Sequence, residues 1–587
     1  MSTQQQTSDA TILALRLAIG LAQGAALYAL LNMLEMLDDI PHPFTTTWPF
    51  TALVLVAGLL PFVWLSAIAS MRAVTLAAWS LAVIATIIAT SNHAAWLEAP
   101  ESGADNLPLF FPLAAALFIS HQLIAAADRD RQPLANYATY FDLGWKDGVQ
   151  LVLCLAFLAA FWLLLFLGAS LFELIGLTFV RDLITEQSFA FLASAAIFAV
   201  AVHITDTRMS LVIGARTIAL ILLGWLLPLL ALFAWAFFFS LFFTGLAPLW
   251  ATGSATALLV TAGAALVILI NASYQDGNDE RAPPEVLKLS VRAAALALVP
   301  IAVLAVYSIW LRVEQYGLTP ERVAGLAIVG VGSIYAAGYG VAALWPGRWM
   351  QPLQPTNIAA AIAWVALIIG MLSPLADPSR LSVNNQVNRL LSGTVTPEQF
   401  DFDALRFDTH RYGIEALERL ARDRSSPMHT DIAARAADAL KREVRNSRPA
   451  EDSSTADALR AGVTVFPAGN ALPDSLLAQD WSDKSRNPLE DCVRNAPKPP
   501  GCQALLSDLD DNERVEVLLR EHPSSIVALG QDANGTWIER GTFVTGQCNT
   551  PDFDFSTPGI SLAPPQPRPL ELDVNGKRFP MTPACDP

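Results

Sequence analysis

The sequence predicts a multi-spanning α-helical membrane protein of about eleven transmembrane helices, followed by a C-terminal soluble α+β domain. Hydrophobic residues make up 53% of the 587 residues and charged residues only 15%, which is too apolar for an ordinary soluble protein. Long apolar runs alternate with short polar joints as far as Leu375. From Asp377 onward charges are spread throughout, and 23 of the 37 Lys and Arg residues lie in this tail.

The membrane domain is predicted to cover residues 1–376. A transmembrane helix needs about 20 mostly apolar residues. The first such run is longer than the apolar core of a signal peptide and lacks a clear cleavage site, so we expect it to be retained as the first span. The eleven runs lie near residues 11–34, 50–70, 73–91, 108–127, 148–172, 189–205, 217–243, 248–270, 291–311, 323–345 and 356–375.

Two local patterns predict how these spans pack. Proline lies near the middle of three runs, which predicts kinks at Pro61, Pro228 and Pro300. In the tenth run small residues recur at every fourth position from Gly332 to Gly340, a spacing that lets another helix approach closely.

Basic residues orient the spans, because cytoplasmic joints are richer in Lys and Arg than external joints. With a cytoplasmic N-terminus, ten basic residues fall in cytoplasmic joints and three fall in external joints: Arg181, Arg312 and Arg322. An odd number of spans then carries the chain outside. The sequence therefore predicts a cytoplasmic N-terminus and an extracytoplasmic C-terminal domain.

The tail is predicted to have two parts. Residues 377–455 form a post-membrane helical segment that ends in a linker, with an antiparallel helix pair over 410–424 and 430–445. Residues 456–587 form the α+β domain, in which two turn signals predict hairpins, Asp532 to Gly535 and Asn575-Gly576. Its strand-like runs cover 515–519, 525–529 and 536–544.

Cysteine usage supports the external placement of the tail. Cys154 lies alone in the fifth run, whereas Cys492, Cys502, Cys548 and Cys585 all lie in the C-terminal domain. An even set confined to one soluble domain indicates disulfides and an oxidising compartment. Four cysteines allow three pairings; the spacing favours Cys492 with Cys502, which leaves Cys548 with Cys585.

Two stretches resemble a known family. One is Tyr-Phe-Asp-Leu-Gly-Trp-Lys at 140–146, which leads into a long span. The other starts with Pro-Ser-Arg-Leu-Ser-Val-Asn-Asn-Gln at 378–386 and continues through Arg389-Leu390, Phe407 and Arg411-Tyr412-Gly413. Up to about Leu420 the chain resembles DUF4153, a family of bacterial integral membrane proteins. The resemblance implies a Gram-negative inner-membrane protein and implies no activity, because the function of the family is unknown.

Ionisable residues within or beside apolar runs are candidate functional residues, because their burial in a membrane is costly. Most lie within a turn or two of a predicted span end, where snorkelling to the interface explains them. His203 and Asp206 form a candidate intramembrane pair: their i, i+3 spacing places both on one helix face, where the carboxylate would orient the imidazole or share a proton with it. The full set is Arg16, Glu35, His121, Glu173, His203, Asp206 and Arg216.

A candidate interfacial cluster precedes the fifth run. Tyr140 and Trp145 suit the headgroup layer of a membrane, while Asp142 and Lys146 lie four residues apart, in the favourable acid-before-base order. An anchor explains this cluster better than a binding site does.

A possible calcium loop lies in the tail. Asp508, Asp510, Asn512 and Glu516 occupy positions one, three, five and nine of an oxygen-ligand loop. Glu513 replaces the glycine that such loops need, and the twelfth position is not acidic, so an acidic turn before a strand explains the pattern as well.

Composition and motif content narrow the function. Both halves of the chain are acidic, which argues against nucleic acid as a partner. The sequence has no P-loop, His-Glu-x-x-His or Gly-x-Ser-x-Gly motif, and it predicts no cofactor. Three hypotheses for the function follow. The first is a non-enzymatic envelope protein, in contact with membrane lipids, whose external domain binds or assembles with a partner protein. The second is a transporter or channel that uses polar groups near His121, His203 and Asp206, and the third is a membrane enzyme that acts on a lipid-linked substrate.

Overall fold

The chain divides into two compact units, Met1–Arg442 and Glu443–Pro587. The first is helical and the second contains strands. The computed structural model describes residues 3–37, 48–97, 107–246, 249, 255–278, 282–423, 425, 427–442, 462–467, 469–477, 479, 488–489, 492, 502–509, 514–522, 525–532, 535–544, 555, 572–574 and 577–579.

Within those residues, eleven helices are long and apolar enough to cross a membrane, which confirms the predicted number. A further short helix, α6 (Phe179–Thr185), lies between the fifth and sixth of them. The eleven are α1 (Thr3–Leu37), α2 (Trp48–Ala67), α3 (Ala73–Leu97), α4 (Leu107–Asp130), α5 (Tyr137–Glu173), α7 (Gln187–Thr207), α8 (Met209–Thr244), α9 (Ala255–Tyr274), α10 (Glu285–Tyr316), α11 (Pro320–Leu344) and α12 (Leu353–Met371).

Several helices extend beyond the apolar runs that predict them. Helix α5 has 37 residues, so the aromatic and charged stretch from Tyr140 to Lys146 forms its first turns. The three predicted prolines lie inside α2, α8 and α10, and each of these helices continues through its proline. Each proline lacks an N–H and leaves one carbonyl of the preceding turn without its usual donor, while the rest of the helix keeps the internal hydrogen bonds that the hydrocarbon layer requires.

Large apolar side chains cover the outside of the bundle, and small ones fill much of its inside. Phe242 is 91% exposed and Leu163 is 69% exposed, whereas Ala294 and Ala295 are fully buried. An apolar surface of this kind is suited to contact with lipid. The small residues inside the bundle let the helix backbones approach one another closely.

Helices α1 and α7 pack closely because α1 presents two glycines. A Cβ atom added to Gly20 would lie 2.7 Å from the carbonyl oxygen of Ala195, and one added to Gly24 would lie 2.7 Å from that of Phe191. In the predicted stripe of the tenth span, Gly340 does approach Val299, whereas Gly332 faces open space.

Residues 377–442 of the predicted post-membrane segment belong to the first unit, which ends at Arg442. Its predicted helix pair is confirmed as α15 (His410–Arg422) and α16 (Pro427–Lys441). Two further helices precede that pair, α13 (Pro378–Leu391) and α14 (Phe402–Phe407). Together they enclose a core of their own that includes Leu390, Leu405, Leu417, Ile432 and Ala436.

The second unit contains a five-stranded sheet in the order β1-β2-β3-β4-β5. Strand β1 is parallel to β2, and the other neighbours are antiparallel. The predicted hairpin at Asp532 is confirmed, and Gly535 adopts a φ of 81° in its turn. Strands β6 and β7 pair in an antiparallel way and form the second predicted hairpin. The described elements are β1 (Val463–Phe466), α17 (Asp474–Leu477), β2 (Cys502–Ser507), β3 (Glu516–His522), β4 (Ser525–Gln531), β5 (Trp537–Val544), β6 (Leu572–Val574) and β7 (Lys577–Phe579).

One predicted disulfide is present. Cys492 and Cys502 are bonded and have Cα atoms 5.4 Å apart, and both belong to the buried core of this unit, with Cys502 as the first residue of β2. Closing so short a loop stabilises the folded unit by about 2–3 kcal/mol if chain entropy dominates. Cys548 and Cys585 lie outside the described residues.

Candidate functional site

Four charged side chains meet among α1, α5 and α7; we call Arg16, Lys146, Asp147 and Asp206 the charge cluster. The guanidinium of Arg16, which is 1% exposed, donates to the Asp206 carboxylate. Lys146 Nζ lies 3.6 Å from Asp206 Oδ1 and 3.5 Å from Asp147 Oδ1. Because a lone charge in a membrane is costly, two cations and two carboxylates here compensate one another.

An uncharged amide completes the surroundings of Asp206. Gln150, one turn after Lys146 on α5, donates to Asp206 Oδ1 over 3.0 Å and to Thr205 Oγ1 over 2.9 Å. The Asp206 carboxylate therefore receives hydrogen bonds from both α1 and α5. Such a network orders the helices that contribute to it.

The predicted partnership between His203 and Asp206 is replaced by these contacts. The Asp206 carboxylate contacts Arg16, Lys146 and Gln150. The Nδ1 atom of His203 is buried without a hydrogen-bond partner in the described part of the chain. The reason is electrostatic, since the guanidinium of Arg16 and the ammonium of Lys146 are permanent cations that attract a carboxylate strongly.

The four residues of the predicted interfacial cluster all lie on α5, but they contact different partners. Asp142 accepts from Arg216 Nη1 of α8 over 2.8 Å, whereas Lys146 belongs to the charge cluster. The Tyr140 hydroxyl accepts from the backbone N–H of Ala135 over 3.0 Å, and Trp145 packs beside Phe141 with ring centroids 6.1 Å apart. The i, i+4 ion pair expected from spacing gives way to contacts that hold helices together.

A cavity of about 420 Å³ lies beside the charge cluster, between α2, α4, α5 and α7. Aromatic and aliphatic side chains form most of its wall. Polar groups gather at one end: Ser66, His121, Gln122, Asp147 and Gln150. An apolar pocket with a few convergent polar groups is the usual form of a small-molecule site.

His121 has both ring nitrogens engaged. The Trp79 indole N–H, which can only donate, lies 3.2 Å from His121 Nδ1, so that nitrogen accepts and carries no proton. Nε2–H then donates to Ser66 Oγ over 3.1 Å, and the Ser66 hydroxyl donates to the carbonyl of Val63. This chain of bonds holds the imidazole neutral and fixed, which fits a structural role.

A second buried polar network contains no charge. Asn357 Nδ2 donates to Asn271 Oδ1 over 2.7 Å and to the Tyr137 hydroxyl over 3.1 Å, while Tyr339 donates to Asn357 Oδ1 over 2.6 Å. Asn271 in turn donates to the Tyr339 oxygen over 2.7 Å. These four residues come from α5, α9, α11 and α12, so their network ties four spans together.

Asp377 joins the post-membrane segment to the bundle through both of its carboxylate oxygens. Oδ2 lies 2.7 Å from Nε2 of His93 on α3, and both side chains are more than nine-tenths buried. Oδ1 accepts from the backbone N–H groups of Ser379 and Arg380 and so caps α13.

Helix α13 also caps the end of α10. Gln386 Nε2 donates to the carbonyls of Tyr316 and Leu318 over 3.0 and 2.9 Å. The Arg389 guanidinium donates to the carbonyls of Glu314 and Gln315, each over 3.0 Å. Carbonyls in the last turn of a helix lack partners within it, and α13 supplies them.

An aromatic contact strengthens the junction. Trp96, at the end of α3, packs edge-on against Tyr412 with centroids 4.9 Å apart, and the Arg411 guanidinium lies 5.0 Å from the Trp96 ring centroid. Partial burial, and next the nearby Asp377 carboxylate, raise the pKa of Tyr412 above its ordinary value.

One further ionisable candidate forms a partly exposed ion pair. Glu173 pairs with Arg181 over 2.7 Å, and both side chains are nearly half exposed, as expected near a span end. Glu35 lies in the last turn of α1.

The possible calcium loop is only partly described. Asp510 and Asn512 lie outside the described residues. Glu516 is buried, and its Oε2 accepts from the backbone N–H of Leu509 over 2.8 Å, which fits a turn before the strand. The part of the chain that the structure describes contains no group of three His, Cys, Asp or Glu residues able to hold a metal.

Fold and site together define a multi-pass α-helical membrane protein with a docked helical segment and a separate α+β unit. The chain belongs to the DUF4153 family, whose model, described as a domain of unknown function, matches residues 26–420. No curated protein and no solved structure matches the chain. The matched range includes both stretches that carry the resemblance, and those stretches supply Asp142, Lys146, Gln386 and Arg411 to the contacts above.

Proposed function

We propose that this protein is a non-enzymatic binding and assembly protein of the bacterial inner membrane that presents its post-membrane segment and C-terminal domain in the periplasm. The observation that carries the proposal is the attachment of the segment to the spans through Asp377, α13 and Trp96. A segment attached in this way is a fixed surface, and a preordered surface loses less entropy when it binds a partner than a mobile one does.

Two observations support the proposed orientation. Basic residues favour the joints that would be cytoplasmic, ten against three. In addition, the post-membrane segment follows α12 and contacts the C-terminal ends of α3 and α10. These are the third, ninth and eleventh spans, which all run in the same direction, so the contacts agree with the span count on which the proposed orientation depends.

The proposed partners follow from two surfaces: the apolar outside of the spans and the post-membrane segment with the C-terminal domain. Membrane lipids contact the exposed apolar side chains of the spans, such as Phe242. A second envelope protein binds on the periplasmic side. The formal net charge of −16 disfavours nucleic acid.

Sided labelling tests the orientation. We expect a membrane-impermeant maleimide to label Ser392→Cys in intact spheroplasts, because this exposed residue follows α13 on the proposed outer side. Gln132→Cys, in the exposed joint between α4 and α5, should react only after the membrane is broken. The unsubstituted protein measures background labelling. Labelling of Gln132→Cys alone in intact spheroplasts would reverse the proposed topology.

Photo-crosslinking in living cells tests the proposed function. A photoreactive amino acid at Leu381 or Leu391, partly exposed positions of α13, should yield one discrete protein adduct. The same amino acid at Leu163, which faces lipid, is the matched control and should yield none. If neither α13 position forms an adduct while the protein is present in the membrane at its normal level, the binding function is wrong.

The charge cluster favours transport of a small solute as a second candidate function, because Asp147 belongs both to the cluster and to the cavity wall. Proton-coupled transport would require Asp147 or Asp206 to exchange a proton. Solute uptake driven by a pH gradient in proteoliposomes, and lost in a folded Asp147→Asn variant, would favour this alternative.

A further inference from the structure

The cavity between α2, α4, α5 and α7 plays no part in the proposed binding of a protein partner. Phe62, Phe118 and Leu151 line the cavity, lie in membrane-spanning helices and are each 39% exposed. From these exposed apolar side chains we infer that the cavity opens toward the bilayer. Its volume of about 420 Å³ is at the small end of ligand pockets and suits one hydrocarbon chain better than two.

The polar end of the cavity offers an acceptor that nothing in the described chain satisfies. Gln122 is 8% exposed and lines the cavity, and its Nε2 donates to Asp147 Oδ2 over 3.0 Å. Because a carboxylate only accepts, the amide nitrogen must face Asp147, which fixes the orientation of the amide. Oε1 is then left buried without a hydrogen-bond partner. A buried, unpaired carbonyl oxygen is unfavourable until a donor reaches it.

The charges at this end favour an uncharged donor. Lys146 Nζ lies 3.5 Å from Asp147 Oδ1, so the nearest carboxylate already has a cation beside it. An ammonium head group would add an uncompensated charge, and a phosphate or carboxylate would face Asp147 directly. A hydroxyl group supplies the missing donor without adding charge.

We propose that this cavity binds a single-chain amphiphile with an uncharged hydroxyl head group, such as a long-chain alcohol, whose O–H donates to Gln122 Oε1. The chain itself gives little selectivity, since lipid tails are as apolar as the cavity wall. The hydrogen bond to Gln122 therefore distinguishes this ligand from the surrounding lipid.

Competition binding to the full-length protein in nanodiscs tests the proposal. The probe is a long-chain alcohol that carries a photoreactive diazirine on its chain, and the competitors are hexadecan-1-ol, its methyl ether and hexadecylamine. We expect the probe to label α2, α4 or α5, and the ether to need a concentration about tenfold higher than the alcohol, because it lacks one donor to a buried acceptor. Gln122→Leu should reduce this ratio to about one, and Ala114→Phe, which fills the cavity, should abolish labelling.

A matched control and three outcomes decide the result. Gln354→Leu removes a partly buried glutamine that donates to Tyr274 outside the cavity, and it should leave the ratio unchanged. Equal competition by the alcohol and the ether would overturn the proposal. A preference for the alcohol over the ether that survives in Gln122→Leu would overturn it as well. Stronger competition by the amine would overturn the uncharged head group. Should Gln122→Leu fail to fold, the alcohol-to-ether ratio of the unsubstituted protein still decides.

Discussion

Asp206→Ala is expected to lower the free energy of unfolding by about 3–5 kcal/mol, because it leaves Arg16 buried without its carboxylate. Arg16 is 1% exposed, and its partner also accepts from Gln150 and lies 3.6 Å from Lys146. The loss would appear in denaturant unfolding of the full-length protein in mixed micelles.

Two comparisons separate this effect from a general loss of charge. Asp142→Ala removes a carboxylate that is 46% exposed and pairs with Arg216, so its effect should stay below about 1 kcal/mol. The double variant Arg16→Leu with Asp206→Leu should recover most of the stability, because it removes the uncompensated cation. If Asp206→Ala were as stable as Asp142→Ala, the buried ion pair would not contribute as we expect.

Asp377→Ala should weaken the attachment of α13 to the bundle, at a loss on the order of 2–4 kcal/mol, because one carboxylate both caps α13 and hydrogen-bonds His93. The hydrogen bonds from Gln386 and Arg389 to α10 remain. Limited proteolysis of the full-length protein in nanodiscs would show faster cleavage near residues 392–396, immediately after α13. The spans themselves should stay resistant to protease.

Asp377→Asn is the matched control for this prediction. The amide oxygen retains the cap on Ser379 and Arg380, so cleavage should be closer to that of the unsubstituted protein than in Asp377→Ala. Equal protection of all three proteins would show that α13 does not depend on this residue.

The elements that the sequence predicts well are those whose signal is local. A run of about 20 apolar residues is enough to identify a membrane span, so the eleven spans follow from hydropathy alone. The hairpin at Asp532 is likewise encoded in a few turn residues. The partner of a buried side chain is harder to predict. Local spacing pairs Asp206 with His203, whereas the fold brings Arg16 to Asp206 from another helix. No sequence pattern near Asp206 encodes that contact.

Other site residues were missed although a signal was present. Gln122, Gln150 and Asn357 are uncharged, so a search for ionisable groups passes over them, but an amide within an apolar run also needs a buried partner. Gly20 and Gly24 form a Gly-x-x-x-Gly pattern in the first run, which is a better indicator of close helix packing than the stripe at Gly332.

The distance in sequence between Arg16 and Asp206 has a consequence for biogenesis. The two residues are 190 positions apart, so α1 enters the bilayer on the order of 10–40 s before synthesis reaches its partner. Meanwhile Arg16, near the start of its apolar run, must reach headgroups or water, because an unpaired charge in the hydrocarbon layer is costly. We therefore expect α1 to reach its final position only after α7 has been inserted, with Arg16 directed to headgroups or water until then.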